Sequence, residues 1–285
     1  MKGVAATPSK RAARGGLSIT GTRSELGRVL LQRIPARAGA GLHINLAGQQ
    51  ANSLLHDGHA WKGFPAAALA ATRRAIQAAR TGRAQMLVHA SFALLHGVER
   101  DGDLTDPLRS MIDAMLECEA LVLSSRVPAC VVRLGYLYGP ESADLRAYRK
   151  AFRLGRPYWS GPPEALQYHV HQFDAATALV AAAKLRDAGR IYFATDGHPV
   201  SFRAFMDAFA HRVGRARPLH LPSLAKPLAR LIIREEHMQQ AAFGMPSRAP
   251  APRVPGWKPA FADYRKGLDQ VIEAWRVQVE SPSRP

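Results

Sequence analysis

The stretch Cys130–Pro140, CVVRLGYLYGP, decides how this chain is read. Val131, Val132 and Leu134 make a short apolar run of β-type residues, and Gly135 and Gly139-Pro140 end it at a turn that carries tyrosines. That is a strand followed by a breaker. Immediately before it, Leu108–Ser125 has the length and periodicity of a helix.

Working outward, strand and helix patterns alternate. Leu17–Thr20 reads as a first strand, followed by the turn GTRSELG and an amphipathic helix over Arg28–Ile34. Leu42–Leu46 (LHINL) reads as a second strand, Pro65–Arg80 as an alanine-rich helix, and Gln85–Ala90 as a third strand ending at Ser91. After the fourth strand come helical patterns at Ala147–Leu154 and Ala175–Lys184, a strand at Arg190–Ala194, and a helix over Phe202–Val213 capped by Ser201. A helix near Leu228–His237, a proline-rich linker over Pro246–Pro255 and a closing helix over Phe261–Val277 complete the chain. Strands alternating with helices at this spacing predict a parallel sheet covered by helices.

Composition narrows the function classes. No apolar run approaches the ~20 residues needed to span a membrane. Cys118 and Cys130 make neither a disulfide framework nor a zinc site, which suits a reducing cytoplasm. The first sixteen residues, MKGVAATPSKRAARGG, lack the apolar stretch of a signal peptide and read as a disordered basic tail. The net charge of +17 comes from 39 Lys and Arg against 22 Asp and Glu. Scattered arginines dominate it, as in Arg73/Arg74, Arg146/Arg149 and Arg215/Arg217, and no nucleic-acid recognition signature accompanies them. A solvated surface is the favoured reading, with a basic module for nucleic acid or an acidic partner as the rival.

Six segments in order resemble the NAD-dependent epimerase/dehydratase family, the extended short-chain dehydrogenase/reductases. They are TGTRSELG (Thr20–Gly27), LHINLAG (Leu42–Gly48), QMLVHASFALLHG (Gln85–Gly97), VHQFDAATA (Val170–Ala178), GRIYFATDGHPVSFRAF (Gly189–Phe205) and PGWKPAFADYRKGL (Pro255–Leu268). The resemblance implies a Rossmann-like NAD(P)-binding domain over 17–140 and 165–200. It implies a substrate-type lobe over 141–164 and 201–280, with a nucleotide-linked sugar or similar small molecule held between the two. It also implies a homodimer.

Two departures from the family pattern matter more than the matches. In that family the helix before CVVRLGYLYGP carries Tyr-x-x-x-Lys and, four residues on, a Glu. Glu119 fits the Glu, which places the tyrosine at Met111 and the lysine at Met115. Residues four apart share one helix face, so a phenol there has its pKa lowered by the ammonium and exchanges a proton as hydride moves. Thioethers keep the spacing but transfer no proton, and no other tyrosine in the chain has a lysine four residues on. The second departure is length. Only Pro35–Gly41 separates the first helix from the LHINL strand, where a βαβ crossover needs about a dozen residues. The expected fold is therefore an α/β, Rossmann-like parallel sheet shortened by loss of the second and third strands, with a small C-terminal α/β lobe. The acidic residue that would bind the adenosine ribose goes with the missing second strand.

The phosphate turn has two readings. Gly21 and Gly27 are present with Thr22 and Arg23 between them, while Ser24 replaces the middle glycine. As a cofactor site, Gly21, Thr22, Arg23 and Gly27, with Ala47 and Gly48 of the LAG turn, would cradle a pyrophosphate on the helix N-terminus. Arg23 would pair with a 2′-phosphate and favour NADP over NAD. As a structural turn, Thr22 and Glu25 would form a capping box, and Glu25 would repel phosphate.

Ser91 is the one catalytic position of the family pattern that remains, and its alternative role is a turn or cap residue. Arg133, Tyr138 and His171 line the substrate cleft by resemblance. For Arg133 a structural ion pair is equally expected. His89, His96, His169 and His171 are the candidates for replacement acid–base chemistry. No metal site is expected, and Asp174 reads as a helix cap. The functional expectation is a family member lacking the standard hydride chemistry, acting in ligand binding, sensing or support of a partner. The alternative is a reductase or epimerase with an unconventional proton donor.

Overall fold

The computed structural model describes residues 17–34, 41–49, 58–96, 106–215, 218–221 and 252–280. The expected tail, the Leu228–His237 helix and most of the Pro246–Pro255 linker lie outside them.

The elements run β1 (Leu17–Thr20), α1 (Glu25–Arg33), β2 (Leu42–Asn45), α2 (Gly58–Thr81), β3 (Met86–Phe92), α3 (Asp106–Leu123) and β4 (Ala129–Leu134). They continue with β5 (Tyr136–Tyr138), α4 (Ala143–Arg153), β6 (Tyr158–Trp159), β7 (Leu166–Gln167), β8 (His169–His171) and α5 (Gln172–Leu185). The last are β9 (Ile191–Ala194), β10 (Val200–Ser201), α6 (Phe202–Arg212), β11 (His220–Leu221) and α7 (Tyr264–Glu280).

Five parallel strands form the central sheet in the order β1-β2-β3-β4-β9. β1 lies at its edge, and among the described residues no strand pairs outside it. The short α1–β2 connection enforces this order, because it leaves no chain for the two outer strands. Helices α1 and α5 pack together over one face, and α2 and α3 over the other. Such coverage explains why β2 and β3 are apolar or uncharged throughout and buried at every residue.

Helix boundaries moved where caps were misread. α1 begins a turn earlier than its apolar pattern, because Ser24 caps it. α2 runs through Pro65, read in the sequence as a start. The segment Tyr136–Tyr138, read as a turn, is a strand that pairs in parallel with His169–His171. Gly135 lets the chain step from the main sheet to this pair: a Cβ there would lie 2.8 Å from the Tyr168 carbonyl oxygen. β5 and β8 lead into a second core, in which Tyr138, Phe152, Phe205 and Phe209 pack with Leu268 and Trp275 of α7. None of the helices of the described residues is long and apolar enough to cross a membrane.

Candidate functional site

The parallel strands deliver their following turns to one edge of the sheet, the edge at which open α/β sheets bind ligands. Gly21 follows β1, Ala47-Gly48 follow β2, Ser91 lies near the end of β3, and Arg133 lies beside it on β4 in the register Ser91↔Arg133.

Helix α3 faces this edge. Met111 and Met115 are buried, packed with Phe92, Leu95, Leu108 and Ile112, with Phe64 of α2 against the cluster. Gly48 sits at φ +89°, and a Cβ there would lie 2.8 Å from the Met115 sulfur. The thioether therefore rests directly on the LAG turn. Asn45 braces that turn: its Oδ1 accepts from Ala47 N at 3.0 Å and its Nδ2 donates to His89 Nδ1 at 2.9 Å. Burial pushes the His89 pKa down to about 4, so the ring is neutral and acts as an acceptor.

One turn beyond Met115 the same helix turns polar. Glu119 takes two hydrogen bonds from Arg133, Nε at 2.9 Å and Nη2 at 2.7 Å, and a third from Ser91 Oγ at 2.5 Å. The Arg133 and Glu119 side chains are 12% and 5% exposed, so their charges compensate each other out of water. Ser91 and Arg133 are thus brought together, but as donors to one carboxylate. The Ser91 proton is committed to a carboxylate, and the Arg133 charge is compensated by the same group.

At the β1–α1 turn the expected Thr22/Glu25 capping box does not form. Ser24 is the cap: its Oγ accepts from Gly27 N at 3.0 Å and donates to the Gly21 carbonyl at 2.8 Å. The hydroxyl that replaced the middle glycine supplied a better-placed acceptor than Thr22. Both remaining glycines are required by the turn itself. Gly21 sits at φ +87°, and a Cβ on Gly27 would lie 2.5 Å from the Gly21 carbonyl oxygen. Glu25 instead reaches across to the start of α4. It accepts from Ala143 N at 2.7 Å and from Gln172 Nε2 at 3.0 Å, and Arg28 pairs with Glu141 at 3.1 Å beside it. Partial burial raises the Glu25 pKa, countered by the Ala143 hydrogen bond. No sequence signal pointed to Glu25 as a bridge, because its partners lie 118 and 147 residues away. Arg23 is exposed at the rim.

Tyr138 and His171 lie on the lobe side. Tyr138 is fully buried, its phenol pressed against Gly267 of α7, where a Cβ would collide with it, and desolvation raises its pKa far above the ordinary phenol range. His171 caps α5, with Nδ1 accepting from Phe173 N at 3.3 Å and Nε2 donating to Gln270 Oε1 at 3.0 Å. Burial lowers its pKa to about 4. Asp174, expected as a helix cap, accepts from Ala260 N at 2.7 Å and Phe261 N at 2.9 Å and so fastens the GWKPAF segment to α5. The cap belongs to His171, three residues earlier. Among the described residues no three His, Cys, Asp or Glu side chains converge as metal ligands.

Across 90% of this chain and 98% of its own length, the structure of a human epimerase family protein with NADPH superposes with a TM-score of 0.68 at 16% identity. The fold is that of the NAD(P)-dependent epimerase/dehydratase proteins. The resemblance read from the motifs is borne out at that level. In sequence, the chain is 28% identical over 211 residues to a 3-diazoavenalumate denitrifying reductase from a Streptomyces species, covering 69% of this chain and 68% of that one. It is 30% identical over 158 residues to a 4-hydroxy-2-methyl-3-oxo-4-farnesyl-3,4-dihydroquinoline-1-oxide ketoreductase from Stigmatella aurantiaca, covering 50% of this chain and 46% of the ketoreductase. No family profile matches the chain.

Within the epimerase/dehydratase fold, the residues present meet a nicotinamide dinucleotide only part-way. The Gly21–Gly27 turn keeps the tight geometry a pyrophosphate needs. Against it stand the Ser24 hydroxyl on the Gly27 amide, the Glu25 carboxylate in the first turn of α1, and the edge position of β1, outside which no strand pairs among the described residues to carry a ribose-binding carboxylate. The Met111–Met115 cluster supplies no proton donor at the other end.

Proposed function

We propose that this protein uses the epimerase/dehydratase fold to bind a nucleotide-type or nucleotide-linked ligand without running Tyr–Lys hydride chemistry, as a sensing or accessory protein. One observation carries the reading. The two positions that the resemblance assigns to the phenol and the ammonium are methionines buried in an apolar cluster, with the Met115 sulfur on Gly48. General acid–base groups contribute typically ~10²–10⁴-fold to rate, and among the described residues the cluster around these positions is apolar. Ser91, the one catalytic position of the family pattern that remains, donates to Glu119.

In this reading the ligand's phosphates lie at Gly21, Thr22, Arg23 and Gly27, with Ala47 and Gly48 beneath, and Arg23 favours NADP over NAD. Residues 17–140 with 165–200 form the nucleotide-binding domain. The substrate side, near Arg133, Tyr138 and His171, belongs with 141–164 and 201–280. The protein works in the cytoplasm as a homodimer.

A second reading, an NADP-dependent reductase with an unconventional proton donor, is favoured by the names of the two sequence relatives, both reductases. Purified protein titrated with NADPH and NADH, followed by nicotinamide fluorescence, separates the two when combined with single-turnover absorbance at 340 nm over a panel of carbonyl and sugar-nucleotide substrates. Saturable binding without oxidation supports the first reading. Oxidation that survives Met111→Leu but is lost in Ser91→Ala establishes the second.

A further inference from the structure

Toward the C-terminal end of α7, a hollow of about 300 Å³ opens between α4, α6 and α7. Arg149 and Arg153 of α4, Arg212 of α6 and Arg276 of α7 line it, with Trp275 at its wall, and among the described residues no acidic side chain does. From this we infer an anion site that takes a phosphate chain, with guanidinium groups from three helices as its ligands.

Two of the four arginines are held in place by bonds outside the hollow. Arg149 lies over the Trp275 ring at 5.1 Å, and that indole is itself fixed by its Nε1–H to the Pro140 carbonyl at 2.8 Å. Arg212 donates to Asp269 at 2.6 Å and to the Ala208 carbonyl at 2.9 Å, and its side chain is only 19% exposed. Guanidinium groups immobilised this way lose less freedom when they bind, and their planar fork matches phosphate oxygens. Arg153 and Arg276 are exposed and supply longer-reaching arms.

Helix dipoles account for only part of this charge. Arg153 and Arg212 lie in the last turns of α4 and α6, where a cation offsets the carbonyl ends. Arg149 and Arg276 have no such role. Arg149 and Arg153, four apart on one helix face, repel each other. A neighbouring hollow of about 900 Å³ shows the balanced alternative. It shares Arg212 and Arg276 but is lined by Asp269 and Glu273 as well. These carboxylates pair with the two shared arginines, Asp269 with Arg212 at 2.6 Å and Glu273 with Arg276 at 3.8 Å. The charge that no described carboxylate offsets therefore rests on Arg149 and Arg153. The smaller hollow's size is at the lower limit for small-ligand sites, which suits a short phosphate chain rather than a whole dinucleotide.

The test is calorimetric titration of the full-length protein with inorganic tripolyphosphate at low and at physiological salt. Arg149→Ala/Arg153→Ala should weaken binding at least tenfold, with Arg276→Glu close behind, while Arg80→Ala on α2 changes it less than twofold. Circular dichroism and melting temperature establish that each variant is folded, and Arg153→Glu, at an exposed position, serves if the double variant is not. Absence of binding overturns the proposal. So does loss in Arg23→Ala with none in the double variant, which would move the anion to the phosphate turn. Binding of a single-stranded oligonucleotide through these arginines, uncompeted by tripolyphosphate, overturns it in favour of nucleic acid.

Discussion

One face of helix α3 carries two opposite chemistries. Met111 and Met115, on its N-terminal side, are thioethers inside an apolar cluster, whereas Glu119, one turn on, is a carboxylate that holds Arg133 and Ser91 out of water. All three residues are four apart and point to the same edge of the sheet. The half whose ionic group joins α3 to β3 and β4 kept that group. The half whose polar groups would act on a ligand is filled with carbon and sulfur. A buried ion pair is costly to break from one side, because the partner is left charged without water, whereas methionine adapts to the shape around it. Architecture and chemistry are therefore separable within five turns of one helix.

The largest effect should come from breaking the polar half. Glu119→Ala strands Arg133 and is expected to destabilise the fold by about 3–5 kcal/mol, measured by urea unfolding. Glu119→Leu combined with Arg133→Met should recover much of that loss. A single-variant cost below about 1 kcal/mol would mean the pair carries no structural weight. Converting the apolar half into the polar one is the complementary test. Met115→Lys places an ammonium in the cluster, which lowers its pKa in the folded state. The unfolded chain then binds the proton more readily, so the variant should lose about 3 kcal/mol at neutral pH and regain it as pH rises toward 10. No pH dependence would show that this end of α3 is already wet.

Histidine titration sharpens the comparison on a smaller scale. His89 behind the LAG turn and His171 on the lobe side both have folded pKa values of about 4, lowered from 6.5 by burial. A base depressed in the folded state binds protons preferentially when unfolded, so stability is full above about pH 6.5 and falls toward pH 4, by at most about 3 kcal/mol per histidine. Asp196 acts in the opposite direction, since burial raises its pKa from 3.8 to about 7 and its contribution weakens as pH rises through that window. His169, lowered by burial to about 3, makes three such histidines, against Asp196, Glu25 and Asp174, all raised by burial. A net loss on acidification is expected, and His89→Gln should flatten the curve of denaturation midpoint against pH. An unchanged curve would place His89 in contact with solvent. Asp174→Ala, which leaves the Ala260 and Phe261 amides without their acceptor, is expected to cost about 1–3 kcal/mol by the same urea assay. The smallest change in stability belongs to Glu25→Gln, within about 1 kcal/mol, yet NADPH should bind several-fold more tightly once the carboxylate beside the phosphate turn is neutral. Weaker binding would mean that Glu25 supports the ligand site instead of opposing it.

The fold was legible because its signals are local. Apolar runs at Leu17–Thr20, Leu42–Asn45 and Met86–Phe92, each followed by a helix, produce a parallel sheet, and the short Pro35–Gly41 connection alone excludes two more strands ahead of β2. Strand β5 was missed because YLY between two glycines has the composition of a turn, and only its pairing with His169–His171 makes it extended. The candidate site was legible as a set of positions and obscure as a set of roles. Ser91, Arg133 and Asp174 were all named from sequence, but the partners that define their work lie 28, 14 and 86 residues away.

By itself the sequence determined which groups are present: no Tyr-x-x-x-Lys, a serine in place of the middle glycine, and an excess of arginine. Tertiary structure alone decided what those groups do. It turned Ser24 into a cap, sent Glu25 across to α4, and gathered four arginines from three helices around one hollow. The reason is physical: composition and spacing fix a residue's chemistry, but its partners and its access to water are set only when distant segments pack together.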